Sequence, residues 1–203
     1  MRKRNIRRPR EYKVKLLREY IRELLIERRG GSVHPKIYAM INRAEEEGYK
    51  VRVGNYSVVL VDSTDNIIAH LGWDDDPMYG PCLKAKHVTN ASAEQAPGFG
   101  PLLYDVAIEV TGGLTPDRTT VSNAARDVWD YYYTARPDVK AIQLDDLTNY
   151  LTAEEEDNCE QLSADEDTQN GGNWDDSVLS RKYVKQGRPV YNELRSRGML
   201  VEK

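Results

Sequence analysis

The chain has 203 residues, of which 39% are hydrophobic and 31% are charged, and its formal net charge is −4. These values are typical of a globular protein that buries a substantial core. No apolar run is long enough to span a bilayer, and the basic N-terminus lacks the apolar stretch of a signal peptide. We therefore expect neither a membrane span nor secretion through a signal peptide.

Charge is distributed unevenly along the chain. Residues 1–29 contain 12 Lys or Arg and 4 Glu, whereas residues 144–176 contain 12 acidic residues and no basic one. Residues 1–10 are too charged to pack and are predicted to form a flexible basic arm. Two interpretations are open. The basic and acidic regions attract each other, within one molecule or between copies, or both regions are simply solvated surface.

The N-terminal part of the chain is predicted to contain two helices and then a series of strands. Apolar periodicity indicates a basic amphipathic helix over 11–29 and a second helix over 35–47. The residues between the second and third strands, 62–66, have the composition of a hairpin turn. The predicted strands lie at 51–53, 56–61, 67–73 and 83–89.

A glycine loop directly precedes the next predicted helix. The segment Gln95-Ala96-Pro97-Gly98-Phe99-Gly100 is followed by apolar residues at helical spacing over 101–111. The first amides of a helix lack internal partners, and glycine lets backbone N–H groups approach an anion. The loop therefore predicts a phosphate cradle, although the same pattern also forms ordinary tight loops.

The rest of the chain is predicted to add one long helix and an acidic extension. After a short segment over 114–121, a helix capped by Ser122 is expected over 122–133. Residues 145–176 read as an extended acidic connection, and 180–203 contain enough apolar residues for a final helix and a short strand. We therefore divide the chain into a domain over 11–143 and an extension over 144–203 that packs on it.

The two cysteines, Cys82 and Cys159, are far apart in the sequence and belong to no metal-binding or redox spacing. We expect them to be free thiols of a reducing compartment. No metal cofactor is expected.

This order of elements, with the glycine loop between the fourth strand and the following helix, resembles the GNAT acyltransferase superfamily. Gln95, Gly98 and Gly100 match the fixed positions of its Gln/Arg-x-x-Gly-x-Gly/Ala motif. The resemblance covers residues 11–140 and implies a GNAT-like α/β fold. Such a fold has a mixed, mostly antiparallel sheet flanked by helices, here with a basic N-terminal helix and an acidic C-terminal extension.

The segments around the motif are similar to GNAT-like proteins encoded by tailed bacteriophages. The similarity lies in residues 100–107, 114–118 and 128–132, and more distally in 157–159 and 179–183. It implies a location in the host cytoplasm or in the virion.

In the GNAT superfamily the loop amides bind the pyrophosphate of acetyl-CoA, and the preceding strand binds its pantetheine arm. The resemblance therefore implies acetyl-CoA as cosubstrate. By position, the implied binding residues are His87, Val88, Thr89, Gln95, Gly98, Phe99, Gly100 and Pro101.

Acetyl transfer to an amine needs a base for the amine and a proton for the leaving thiolate, and it needs no covalent enzyme intermediate. Glu94 is the first candidate base. Asp74, Asp75 and Asp76 at the end of the hairpin, and His87 on the next strand, are alternatives, and all of these residues also suit ordinary structural roles.

The family commonly takes the thiolate proton from a tyrosine in an Asn-x-x-Ala-x-x-x-Tyr pattern. Aligning Ser122 and Ala125 with this pattern places Trp129 at the tyrosine position, which is a departure from the family. Tyr131 and Tyr132, or else Tyr133, are the candidate proton donors if the helix register differs, since neighbouring residues point about 100° apart.

Two functions compete on this basis. The first is an acyl-CoA-dependent N-acetyltransferase acting on an unidentified amine. The second is a catalytically silent GNAT-like structural or interaction protein of a virion, with phage structural proteins as partners, which Trp129 and the oppositely charged ends favour. Residues 2–29 add a nonspecific nucleic-acid contact to either function, since they lack a groove-reading motif.

Overall fold

A computed structural model describes residues 32–163 and 173–202 of the chain. The predicted basic arm (1–10), the predicted first helix (11–29) and part of the acidic connection (164–172) lie outside the described residues. The helices of the described part are α1 (Pro35–Glu46), α2 (Gly100–Thr111), α3 (Asn123–Ala135) and α4 (Pro189–Ser196). Its strands are β1 (Lys50–Val53), β2 (Ser57–Val61), β3 (Ile67–Asp74), β4 (Lys86–Ser92), β5 (Leu114–Thr115), β6 (Val139–Gln143), β7 (Arg181–Lys185) and β8 (Leu200–Glu202).

The eight described strands form a single sheet in the order β6-β7-β5-β4-β3-β2-β1-β8. Neighbouring strands are antiparallel except in two pairs, β4 with β5 and β1 with β8, which are parallel. The protein is therefore an α/β protein with a mixed, mostly antiparallel sheet flanked by helices. This architecture confirms the expected fold class and is consistent with a GNAT-like fold.

Two irregularities of β4 position the groove described below. The pairing with β3 shifts between Gly72↔Asn90 and Trp73↔Val88, so Thr89 is an extra residue on β4. On its other edge β4 pairs with β5 only at Lys86 and His87. The remaining five residues of β4 therefore have no described partner strand on that edge.

The core lies between the sheet and the helices, as the apolar periodicity predicts. Helix α2 packs against the sheet, and Leu102, Leu103 and Val106 on it are fully buried or nearly so. Its preceding glycine loop is anchored by Phe99, which is also completely buried. The loop therefore belongs to the rigid part of the fold.

Helix α2 also carries two buried carboxylates that join it to other elements. Asp105 Oδ2 accepts a hydrogen bond of 2.8 Å from Arg136 Nη2, and its Oδ1 accepts one of 2.9 Å from the Tyr132 hydroxyl. Glu109 lies 2.5 Å from Lys185 Nζ and accepts the backbone amides of Val190 and Tyr191 at the start of α4. Burial raises the pKa of Glu109. These contacts connect α2 to α3, β7 and α4.

The region before β4 differs from the sequence prediction. A strand over 83–89 is wrong, since β4 begins at Lys86 and ends at Ser92. Cys82, Leu83 and Lys84 instead form a left-handed turn with φ of 44°, 51° and 57°. Such angles are uncommon in residues other than glycine. The alternation of apolar residues, from which the strand was predicted, gives no indication of them.

The expectation of free thiols is also wrong. Cys82 and Cys159 form a disulfide with their Cα atoms 4.7 Å apart, and the two residues are 77 positions apart in sequence. Their partnership depends on the packing of two loops, which no sequence spacing reveals.

The acidic segment is more ordered than its composition suggests. Leu144, Cys159 and Trp174 are buried and dock it onto the body. Asp145 is fully buried as well, and its Oδ2 accepts the amides of Leu151 and Thr152 at 3.0 and 2.7 Å. Backbone amides thus take the place of water around Oδ2 of this carboxylate.

Buried tyrosines should make the protein lose stability in alkali. Burial raises the pKa of Tyr104 to about 12 and also raises the pKa values of Tyr132 and Tyr183. Above about pH 10 the unfolded chain loses tyrosine protons that the folded chain keeps, so the free energy of unfolding falls. Urea denaturation should give a lower midpoint at pH 11 than at pH 8. An equal midpoint at both pH values would contradict this prediction.

Candidate functional site

A groove runs along the unpaired edge of β4, between that strand, the start of α2 and the start of α3. It consists of two adjoining cavities of about 190 and 170 Å³. Ala91, Tyr104, Ser122 and Ala125 line both cavities. The first cavity reaches Gly100 at the N-terminus of α2, and the second reaches Val88 and Thr89 on β4.

The glycine loop presents backbone amides at one end of this groove. Gly98 has φ +90°, a conformation that L side chains rarely adopt. The amide of Phe99 donates to the Ala96 carbonyl at 3.2 Å. Within the described residues the amides of Gly98 and Gly100 have no hydrogen-bond acceptor. These amides lie beside the positive end of α2, where an anion is stabilised.

A cation stands beside the loop. Arg43 on α1 donates from Nη1 to the Pro97 carbonyl at 3.2 Å, and its guanidinium carbon lies 4.5 Å from the centre of the Phe99 ring. A Cβ built on Gly98 would lie 3.6 Å from the same Nη1 atom. Arg43 Nε also pairs with Glu47 Oε1 at 2.6 Å, and the Arg43 side chain is about half exposed, at 49%. Sequence reasoning missed it because it lies 54 residues before Pro97.

The edge of β4 supplies a second kind of binding group. A strand edge without a partner offers backbone N–H and C=O groups to an extended ligand. Val88 and Thr89, two of the residues that the sequence resemblance implies for cofactor binding, line the groove there. His87 does not line it. His87 is buried, its ring packs edge-on against Tyr79 at 5.3 Å, and burial lowers its pKa.

Tyr104 lies at the centre of the groove, and sequence reasoning missed it. It lines both cavities, although only 3% of the residue is exposed. Its hydroxyl makes no hydrogen bond to any described residue. Since burial raises its pKa to about 12, the hydroxyl keeps its proton at neutral pH. The sequence did contain one indication of this position. Tyr104 lies four residues after Gly100, so the two residues share one face of the predicted helix.

Trp129 forms the support beneath Tyr104. It is buried, stacks on Tyr183 with ring centres 4.9 Å apart, and meets the edge of Tyr104 at 5.1 Å. It also lines the second cavity. Trp129 thus forms part of the groove wall, and the phenol hydroxyl of the groove belongs to Tyr104 on α2.

The predicted proton donors point elsewhere. The Tyr132 hydroxyl is buried against Asp105 and the Pro101 carbonyl, both at 2.9 Å. Tyr131 lies under Lys36, with Nζ 4.3 Å from its ring centre, and Tyr133 is 44% exposed. None of these three tyrosines lines the groove.

The predicted base Glu94 and the motif residue Gln95 are both exposed and lie outside the groove lining. Asp117 is the carboxylate that does line it. Its Oδ1 accepts the amides of Thr119 and Thr120 at 2.8 and 3.1 Å, which fixes the turn that forms one wall. The groove thus combines a protonated hydroxyl from Tyr104, a carboxylate and free backbone groups.

Comparisons with protein-family models, with curated proteins and with solved structures find no match for this chain. Among residues 32–163 and 173–202, no group of three His, Cys, Asp or Glu side chains could hold a metal ion. The described helices include none that is long and apolar enough to cross a membrane.

Proposed function

We propose that the protein belongs to the GNAT superfamily and is an acyl-CoA-dependent N-acetyltransferase. One observation carries the proposal. The unpaired edge of β4 lines a groove that reaches Gly100, the last glycine of a loop with free amides, and Arg43 contacts this loop at Pro97, just outside the lining. Coenzyme A combines an amide-bearing arm with a pyrophosphate, so it matches a strand edge followed by an anion cradle.

The residues of the groove suit the parts of this cosubstrate. The amides of Gly98 and Gly100, with the charge of Arg43, bind the pyrophosphate. The edge of β4 from Val88 to Ser92 hydrogen-bonds the pantetheine amides. No side chain fills the cradle, because a Cβ built on Gly100 meets nothing within 4 Å.

The chemistry of transfer requires two proton movements. The amine nitrogen attacks the thioester carbonyl carbon, the C–S bond breaks, and the sulfur takes a proton. Tyr104 is the proton donor in this proposal, since its hydroxyl is protonated at neutral pH and unpartnered among the described residues. Asp117 is the carboxylate available to accept the amine proton.

Isothermal titration of the full chain with coenzyme A tests the proposal. Saturable heat with a one-to-one stoichiometry supports it. No heat from a folded sample at high protein concentration would overturn it.

Replacing Tyr104 with Phe should lower kcat for acetyl transfer by about 10²- to 10⁴-fold, because the thiolate loses its general acid. The Kd for coenzyme A should change by less than about twofold, because only an unpartnered hydroxyl is removed. Steady-state kinetics measures the effect on kcat, and calorimetric titration of the same preparation measures the effect on the Kd for coenzyme A. Tyr150→Phe is the control, since Tyr150 is 62% exposed. Full turnover by Tyr104→Phe would remove Tyr104 from the mechanism.

The second candidate is a catalytically silent GNAT-like protein of a phage virion. Trp129 at the tyrosine position and the absence of Glu94, Tyr131 and Tyr132 from the groove lining favour it. It predicts stable copies in assembled particles, in contact with phage structural proteins, which mass spectrometry of purified virions would detect. A location in the host cytoplasm alone would count against it.

Nonspecific nucleic-acid contact through residues 2–29 stays a prediction. It requires an affinity that falls steeply with salt, since Arg and Lys release counterions from phosphates. An affinity that is the same at low and moderate salt would contradict it.

A further inference from the structure

The wall of the groove opposite β4 is held in place by a distant segment. This wall is the turn 116–121, which contributes Asp117, Thr120 and Val121 to the lining. The distant segment is 159–163. Its Leu162 amide donates to the Arg118 carbonyl at 2.9 Å, and the Gln161 side chain donates to the Asp117 carbonyl at 3.0 Å. The shape of the groove therefore depends on where 159–163 is anchored.

Segment 159–163 is anchored covalently at its first residue. Cys159 is bonded to Cys82, its amide donates to the Asp145 carbonyl at 2.7 Å, and the following Glu160 amide donates to the Tyr79 carbonyl at 2.8 Å. Opening the disulfide removes the one covalent tie between this segment and the turn before β4.

A buried cation lies against this disulfide. Arg118 is completely buried, and its Nη1 lies 3.3 Å from Cys159 Sγ. Its other donors bind only backbone carbonyls, those of Pro116 at 3.1 Å and Leu179 at 3.0 Å. No described carboxylate forms an ion pair with it. Burial lowers its pKa to about 9, an effect that the nearby charge of Asp117 partly offsets. At neutral pH Arg118 is therefore a buried charge that would stabilise a thiolate of Cys159.

The other half of the disulfide lies in a strained backbone. Cys82, Leu83 and Lys84 all have φ between 44° and 57°, a conformation that is sterically unfavourable for residues other than glycine. Besides the disulfide, this turn is held by Lys182 Nζ, which donates to the Leu83 carbonyl at 2.8 Å, and by the Cys82 amide, which donates to the Asn158 carbonyl at 3.4 Å. Strain of this kind relaxes when a constraint is released.

We propose that the Cys82–Cys159 disulfide is a reversible redox site that sets the rigidity of the groove wall, with a dithiol as its reductant. One thiolate of the dithiol attacks Cys82 Sγ, the S–S bond breaks, and Cys159 leaves as a thiolate beside Arg118. The second thiol of the dithiol then attacks the mixed disulfide and releases Cys82. The dithiol is oxidised to a disulfide by two electrons, and Cys82 takes up one proton.

The direction of attack follows from the surroundings of the two sulfur atoms. Cys82 is 4% exposed and Cys159 is not exposed at all. A thiol with a stabilised thiolate is the better leaving group, and Arg118 stabilises only the Cys159 side. Attack at Cys82 is therefore favoured by both access and charge.

Hydrogen exchange of the full-length protein tests the effect on the wall. Oxidised protein is compared with protein reduced by dithiothreitol, without any ligand. Amides of 117–121 and 159–163 should exchange at least about tenfold faster after reduction, whereas the hairpin 62–66 should be unchanged. Equal exchange in both forms, or the same acceleration in the hairpin as in the wall, would overturn the proposal.

A trapping experiment on the same wild-type protein tests the direction of attack. One equivalent of glutathione, a monothiol, should give the mixed disulfide because no second thiol remains to resolve it, and iodoacetamide then alkylates the released protein thiol. Peptide mass spectrometry should find glutathione on Cys82 and the alkyl group on Cys159. The reverse assignment, or an equal mixture, would overturn the role given to Arg118.

The effect on ligand binding rests on the proposed function, and it separates the two proposals. If the groove binds coenzyme A, reduction should raise its Kd by about tenfold, because a looser wall must be ordered on binding. Oxidised protein that binds no coenzyme A would defeat the proposed function, while the exchange experiment would still decide the redox site. Equal affinity of both forms would remove the link between the disulfide and the groove.

Discussion

Replacing Gly100 with glutamate should weaken the binding of coenzyme A by about a hundredfold. The substitution places a carboxylate where the pyrophosphate is proposed to bind, and like charges in close contact cost several kcal/mol. The fold should be retained, because a Cβ at Gly100 meets no atom within 4 Å and its φ is not in the left-handed region. Titration calorimetry measures the affinity, and circular dichroism verifies the fold.

Gly100→Ala is the matched control, since it adds the Cβ without the charge. Its affinity should stay within about threefold of the wild type. Unchanged affinity in Gly100→Glu would place the pyrophosphate elsewhere. Gly98→Ala makes a less specific test, because Gly98 has φ +90° and any side chain there strains the loop as well.

Replacing Asp105 with Ala should lower the free energy of unfolding by about 1–3 kcal/mol, because buried donors of Arg136 and Tyr132 lose an acceptor while Asp138 still pairs with Arg136 at 2.7 Å. Arg136 and Asp105 are both fully buried at their side chains and lie 2.8 Å apart. The same change removes an acceptor from the Tyr132 hydroxyl. Urea denaturation followed by tryptophan fluorescence measures the loss.

A surface ion pair provides the comparison. Glu45 pairs with Arg197 at 2.8 Å, but its side chain is 51% exposed, so Glu45→Ala should cost less than about 1 kcal/mol. Similar losses for both variants would mean that the buried network contributes no more than an exposed pair.

The local elements could be predicted from the sequence because their signals are local. Apolar periodicity placed α1 and α2 within one residue of their observed bounds, and Ser122 caps α3 as expected, its hydroxyl accepting the Ala125 amide at 3.3 Å. The glycine loop before α2 was visible for the same reason. The start of β4 could not be predicted, because the left-handed turn before it produces no pattern of apolar residues.

The contents of the groove could not be predicted in the same way. The role of Tyr104 depends on which strand edge stays unpaired beside it. Arg43 reaches the loop from another helix, and Tyr132 turns away from the groove because Asp105 and Arg136 hold its hydroxyl. These outcomes depend on contacts between residues distant in sequence.

The sequence by itself determined the described helices, most of the strands and the fold class. It also determined the glycine loop before α2. These features are local, because backbone preferences and apolar spacing act over a few residues. Only the tertiary structure decided which hydroxyl faces the groove, which cation stands beside the loop and that Cys82 pairs with Cys159. These three outcomes depend on the separation of β4 from β5 after His87 and on the packing of the acidic segment against the rest of the fold. Packing of this kind is set by the whole core, so no local pattern contains it.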